Sequence, residues 1–352
     1  MIRLTWMQFR VHALVALGAL VIVAIVLGVT GPHLARLYDI TVVNCAAHRD
    51  CSTAASALTR TDSSLQAVLN VLVEVAPALI GLFWGAPLVA RELETGTYRL
   101  AWTQVTRARW VAIKLGLLGL AGMLVGGILS LMVTWWSSPL DTVRMTPFSS
   151  FDQRDLVPVG YAAFAFVLGV TAGVLIRRTL PAMAAALAGF VVARVVVAHF
   201  GRPYLVSPLK ITIPDSTIAA TGTSPASAGA PNPRDWVISE QTINAKGQVI
   251  GQFGSIGNGT APVGVTRHGG VVLGGGYSCP GLAMPHKPSP SSSETFHALI
   301  QKCVDQLHIR EVLVYHPIGH YWALQWTELG AFLGAAIALS AFCLWWVRCR
   351  LV

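Results

Sequence analysis

The chain has 352 residues, of which 54% are hydrophobic and 12% charged, with a formal net charge of +9. A soluble domain carries about a quarter charged residues, so this composition and a mean hydropathy of +0.60 place the chain outside that class. Six apolar runs, about 11–31, 65–90, 115–136, 156–176, 179–200 and 329–347, are each long enough to cross a bilayer, which needs roughly 20 helical residues. The fold class expected from them is an all-α polytopic membrane protein. It has six transmembrane helices, with a small α+β extracellular domain between helices 5 and 6.

Residues 1–10, MIRLTWMQFR, mix Ile2, Leu4, Trp6, Met7 and Phe9 with Arg3 and Arg10, which suits a short interfacial helix ahead of the first span. The first run is too long for the core of a signal peptide and has no small-residue cleavage site behind it, so it reads as a retained span. Six crossings put both termini on one side. The short segments on that side (1–10, 91–114, 177–178 and 348–352) hold 11 Lys and Arg in 41 residues, against 13 in 180 on the other. Positive charge concentrates in cytoplasmic loops, so the termini and residues 91–114 are expected inside. The inner segments carry only Glu92 and Glu94 against their basic residues, whereas basic and acidic residues balance outside. The basic balance thus reports orientation in a lipid bilayer and calls for no nucleic acid.

Cys45 and Cys51 fall in the first outer segment, and Cys279 and Cys303 in the last, where an oxidising exterior lets disulfides persist. Pairing within each segment is the simplest of three connectivities. Cys343 and Cys349, in the last span and its inner end, are expected to stay reduced. Span 2 carries Asn70, Glu74, Pro77 and Gly81 on one helical face. Glu74, in that span, and Arg194, in span 5, are ionisable groups inside apolar runs, each costing roughly 2.5–3.5 kcal/mol near a helix centre. They read either as part of a polar substrate path or as a structural ion pair. The pairs Gly122/Gly126 and Gly169/Gly173 have the GxxxG spacing that lets helices approach closely.

Between spans 2 and 3 lies ARELETGTYRLAWTQVTRARWVAIK, residues 90–114. Tyr98, Trp102 and Val105 follow at i, i+4 and i+7, with Arg99, Thr103, Thr106 and Arg107 on the neighbouring face. That spacing predicts a short amphipathic helix on the inner membrane surface, with Thr106 beginning span 3. Such a helix can dock into a soluble partner; a plain solvated loop that only sets topology is the alternative. The link between spans 4 and 5 is so short that they form a tight antiparallel hairpin.

The segment 201–328 is different material. STIAATGTSPASAGAPNPRD reads as loop, DWVISEQTINAKGQVIGQF as a β-hairpin turning at Asn244–Gly247, and GGVVLGGG as irregular. Ser291 and Glu294 open a capping-box pattern for a helix ending near Leu307. No Walker A motif, GxSxG elbow, HExxH or CxxC occurs, so neither ATP binding nor catalysis is expected on this chain. His316 and His320 are four apart, but Pro317 and Gly319 between them argue against a helical metal pair, and no metal site is expected. Beyond Glu74 and Arg194, no convergent polar groups are visible in the spans.

RELETGTYRLAWTQVTRARWVAIK resembles the first cytoplasmic loop of ABC-2 type transporter permeases, with its acidic pair, Gly-Thr, basic residues and closing Lys. LTWMQFRVHA near the start and YHPIGHYWALQWTELG at 315–330 are similar to a bacterial subgroup of ABC permeases. The resemblance implies a permease subunit of an ATP-driven exporter in the bacterial plasma membrane, with both termini cytoplasmic. It further implies a separate ABC ATPase holding ATP and magnesium, a second copy of the chain, and a lipophilic or amphipathic substrate. Coupling to the ATPase would fall to Glu92, Glu94, Gly96, Thr97, Arg99 and Arg107, and the substrate pathway to Asn70, Glu74 and Arg194. The segment between spans 5 and 6 is longer than the short helical hairpin usual in that family. A membrane-anchored sensor or ligand-binding protein acting through this outer domain is the second expectation.

Overall fold

The computed structural model describes residues 2–39, 63–96, 106–143, 147–214, 232, 234–243, 245–251, 263–265, 270–273, 277–283 and 310–350. Among these, six helices are long and apolar enough to cross a membrane: Arg10–Tyr38, Ser64–Thr95, Ala108–Ser138, Pro147–Ile176, Thr179–Leu205 and Ile318–Cys349. Each overlaps one of the expected runs, and most extend beyond it, because a helix continues until its backbone bonding is interrupted rather than where hydropathy falls. Helix α1 is continuous over Ile2–Tyr38. The expected interfacial residues 1–10 run into the span without a break from Ile2 on, since no Gly or Pro stands between residues 2 and 17 to interrupt the ladder, and the apolar stretch long enough to cross a membrane begins at Arg10.

Span 2 is built in three pieces. Helix α2, Ser63–Leu79, gives way to a π-helical segment, Ile80–Gly85, and then to α3, Ala86–Thr95. Gly96, at φ 75°, ends the run in the left-handed region that glycine enters without penalty. Helix α4 covers Arg107–Val143, with the Thr106 carbonyl accepting from Trp110, so span 3 starts where the sequence reading put it. A 3-10 turn, Pro147–Gln153, leads into α5, Val157–Ile176. Arg177 in the left-handed region and Arg178 extended make the tight turn into α6, Thr179–Val196. A second π segment, Val197–Gly201, and the short α7, Arg202–Leu205, complete span 5. Helix α8, Tyr321–Cys349, forms span 6.

Helix α5 is the centre of this unit, buried at nearly every position. Lipid tails are as apolar as leucine, so packing and close approach hold such a bundle rather than hydrophobic expulsion. Two clusters show how. Leu27 and Leu34 of α1, Leu69 and Val73 of α2, and Leu129, Val133 and Trp136 of α4 interlock, and the Trp136 indole donates to Thr30 Oγ1 at 3.0 Å. Ala86 and Ala90 of α3, Ala172 of α5, and Ala182 and Ala186 of α6 form an all-alanine contact.

The chain divides into two compact units, Met1–Val206 with Trp322–Val352, and Ser207–Tyr321. The second therefore begins later and ends earlier than the 201–328 read from composition, since Arg202–Leu205 and the first turns of α8 are helical. It contains a four-stranded antiparallel sheet in the order β1-β7-β2-β3 and a three-stranded one in the order β4-β5-β6. Strand β2, Trp236–Ile243, pairs with β3, Val249–Gly251, in the hairpin expected there, with Gly247 at φ 75° in the turn. β1, Leu209–Pro214, pairs along its whole length with β7, Arg310–His316, a long-range match that no local pattern announces. The stretch expected to be irregular contains β5, Gly270–Leu273, between β4, Val263–Val265, and β6, Tyr277–Ala283. The helix expected to end near Leu307 lies outside the described residues.

Candidate functional site

Two polar clusters occupy opposite ends of the helical unit. At the end bearing the connection 96–106, Glu92 of α3 accepts from Lys114 Nζ at 2.7 Å. Lys114 is almost completely buried, packs over the Trp110 ring at 4.4 Å and reaches the Leu88 carbonyl at 3.5 Å. One helical turn can present both Glu92 and Glu94, and Glu94 takes a different partner. Its Oε2 accepts from the Thr179 backbone N–H at 3.1 Å and from the Thr179 hydroxyl at 2.7 Å. A helix start leaves backbone donors without intrahelical acceptors, so Glu94 caps α6 from a neighbouring helix, where the helix dipole also favours a negative charge. The acidic pair thus fastens the end of span 2 to span 3 through Lys114 and to span 5 through Thr179.

The second cluster lies where the 3-10 turn, α5, α7 and the start of α8 converge. Arg202 Nε donates to Glu328 Oε2 at 2.8 Å and its Nη2 to Glu328 Oε1 at 2.9 Å, a two-pronged pairing whose geometry suits guanidinium and carboxylate. Arg202 also pairs with Asp152 and lies over the Phe151 ring at 4.6 Å. The Tyr161 hydroxyl, 2.5 Å from Glu328 Oε1 and 3.1 Å from Asp152 Oδ1, has one proton to give, and the nearer acceptor is Glu328. Arg194 extends the chain of charges: its Nη2 is 3.5 Å from Asp152 Oδ2 and 3.6 Å from Glu74 Oε1, and its Nη1 donates to the Glu74 carbonyl at 3.3 Å. Its guanidinium lies over the ring of the same tyrosine, at 4.6 Å. Exposure rises along this line, from 0% for the Glu328 side chain through 23% for Asp152 to 49% for Glu74. Gln153 Nε2 reaches Glu74 Oε2 at 3.4 Å. Beside it, Gln325 caps α5 from α8, accepting from the Leu156 and Val157 amides at 3.2 and 3.1 Å.

The structure therefore pairs Glu74 with Arg194, but as the outer part of a larger network. That corrects the expectation of no further convergent polar groups in the spans. Asp152, Arg202 and Glu328 stand at the ends of apolar runs, where a charge is ordinary in sequence, and only the fold brings them together. The single-face stripe is also corrected. Glu74 is exposed and Asn70 half-buried, but Pro77 and Gly81 are buried, because the π segment turns Gly81 onto the Ala165 carbonyl of α5.

Of the residues expected to couple to an ATPase, Glu92, Glu94 and Gly96 lie at this first cluster, and Arg107 opens α4. Thr97 and Arg99, with the expected helix at Tyr98–Val105, lie outside the described residues, as do Cys45, Cys51 and Cys303. Cys279 falls in β6, so neither disulfide assignment lies within the described residues. Cys343 and Cys349 are free, as expected. Among the described residues, no group of three or more His, Cys, Asp or Glu is placed to hold a metal ion.

A family model described as ABC-2 membrane transporter related matches residues 17–202, more than half of the chain and all of spans 2 to 4. The chain belongs to this family. No curated protein and no solved structure matches it. As an ABC-2 family member with six apolar spans, the chain is a multi-pass membrane transporter permease, and the family implies an ABC ATPase as partner. The matched region includes Glu92, Glu94, Lys114 and Thr179, and also Glu74, Asp152, Tyr161 and Arg194. Glu328 and the β-rich unit lie beyond it.

Proposed function

We propose that this ABC-2 permease is the membrane subunit of an ATP-driven exporter that moves a lipophilic or amphipathic substrate out of the cell. A separate ATPase chain holds ATP and magnesium, and a second copy of the permease completes the assembly. One observation supports coupling through residues 91–114: the acidic pair ties the last turn of span 2 to both span 3 and span 5. A displacement of the 96–106 connection by a docked ATPase then moves three helices together. Coupling requires differential contacts in two states, and Glu94, which rests on an exposed hydroxyl and amide, is the contact that can exchange. In this reading the Glu74–Arg194–Asp152 line, half open at Glu74, borders the substrate route along with Asn70. Coupling to the ATPase in this reading falls to Glu92, Glu94, Gly96, Thr97, Arg99 and Arg107.

The test is affinity purification of the tagged chain in mild detergent, followed by mass spectrometry and an ATPase assay. A stoichiometric ABC ATPase is expected, and Glu94→Lys should abolish substrate-stimulated turnover while membrane insertion stays intact. Glu94→Gln, which keeps one acceptor for Thr179, should retain most of it. A chain that purifies alone and inactive would instead favour ligand binding by the compact β-rich unit Ser207–Tyr321. Unchanged export by Glu94→Lys would remove the coupling role from this residue.

A further inference from the structure

We propose that His316 and His320 form a binding site for a late first-row divalent metal ion of the zinc or copper class. Strand β7 ends at His316, Pro317 breaks the ladder, and the 3-10 turn Ile318–His320 brings the second ring back over the first. The two residues do not form an α-helical pair, as Pro317 and Gly319 foretold. The turn nonetheless places His316 Nδ1 3.2 Å from His320 Nδ1. At that distance one ring donates its Nδ1–H to the lone pair of the other, and a divalent ion that takes the place of that proton is held by both nitrogens. Zinc–imidazole bonds of roughly 2.0–2.1 Å at a tetrahedral angle place two ligand nitrogens about 3.3–3.4 Å apart, which matches the observed spacing. Imidazole is a favoured ligand for zinc, copper and nickel.

The surroundings hold the pair in this geometry. His316 is fully buried, with the Trp236 ring stacked on it at 5.5 Å and 28°. Asp235 grips the turn between the histidines: its Oδ1 accepts from the Ile318 amide at 2.8 Å while its Oδ2 accepts from the Asn232 amide at 2.8 Å. Both rings are therefore aimed before any ion arrives, which reduces the ordering cost of binding. Two protein ligands leave the remaining positions of a tetrahedron to water, so the site exchanges its ion and differs from a closed four-ligand structural site. It is independent of the coupling contacts and of the reading of the chain as an exporter.

The test uses the full chain, purified in mild detergent with a tag that contains no histidine, stripped with chelator and titrated with zinc by calorimetry. A 1:1 isotherm is expected, weakened by roughly tenfold or more in His320→Gln. With one equivalent of copper, the paramagnetic resonance spectrum should show two imidazole nitrogens in the parent and one in the variant. Because His316 is buried and its replacement can disturb folding, half-buried His320 carries the test, with gel filtration confirming that the variant stays folded. Equal zinc affinity in parent and His320→Gln, or no 1:1 isotherm in the parent, would overturn the proposal and leave a pair of histidines sharing one proton.

Discussion

Glu328 has no exposed side-chain surface, yet it carries a charge matched by the two prongs of Arg202 and the hydroxyl of Tyr161. Removing one partner of a buried pair leaves the other charge without compensation, at a cost of about 3–5 kcal/mol, whereas replacing both with apolar residues of similar volume is often nearly neutral. Glu328→Ala should therefore lower stability by that amount, and Arg202→Met with Glu328→Leu should recover most of it. Thermal unfolding in detergent, followed by tryptophan fluorescence, measures both. If Glu328→Ala is as stable as the parent, the cluster does not anchor span 6. Glu74 and Arg194 were legible in the sequence because an ionisable group inside an apolar run is conspicuous. Arg202 and Glu328 were not, because their depth is set by helices running past the ends of their hydropathy windows.

At the scale of elements, the contact between span 2 and α5 is made backbone to backbone. The π segment shifts its backbone bonds from i+4 to i+5, as where Ala86 bonds back to Gly81. α5 meets this segment with Gly169, where a Cβ would meet the Gly81 carbonyl, while one at Gly85 would meet the Phe166 carbonyl. Neither neighbour is a flexible side chain that can swing away. Gly85→Val should accordingly cost at least about 1–3 kcal/mol and sharply reduce the yield of folded protein on gel filtration. Gly334→Ala in α8, where a Cβ meets nothing within 4 Å, should be neutral. Equal yields from the two variants would show that the helices separate readily at this seam. The GxxxG spacing of Gly169 and Gly173 was visible in the sequence, but its partner surface was not, since a π turn has no distinctive composition.

For the whole molecule, the excess of basic residues in the terminal segments and at 91–114 predicts that these face the cytoplasm. On a cysteine-free background, Lys246→Cys in the β2–β3 turn and Arg91→Cys in α3 both offer exposed positions. A membrane-impermeant maleimide should label Lys246→Cys in intact cells and Arg91→Cys only after permeabilisation. The reverse pattern would invert the topology and place the acidic pair out of reach of any cytoplasmic ATPase.

Hydropathy and charge alone determined that there are six spans, where they lie to within about three turns, and the existence of a distinct β-containing segment. These are properties of local composition, and a bilayer reads them one helix at a time. Only the tertiary structure decided that Glu92 and Glu94 bond to different spans, that Arg202 and Glu328 meet out of contact with solvent, and that β1 pairs with β7. Each joins residues far apart in the chain, in one case 126 positions apart, and no periodicity within a segment encodes the register between segments.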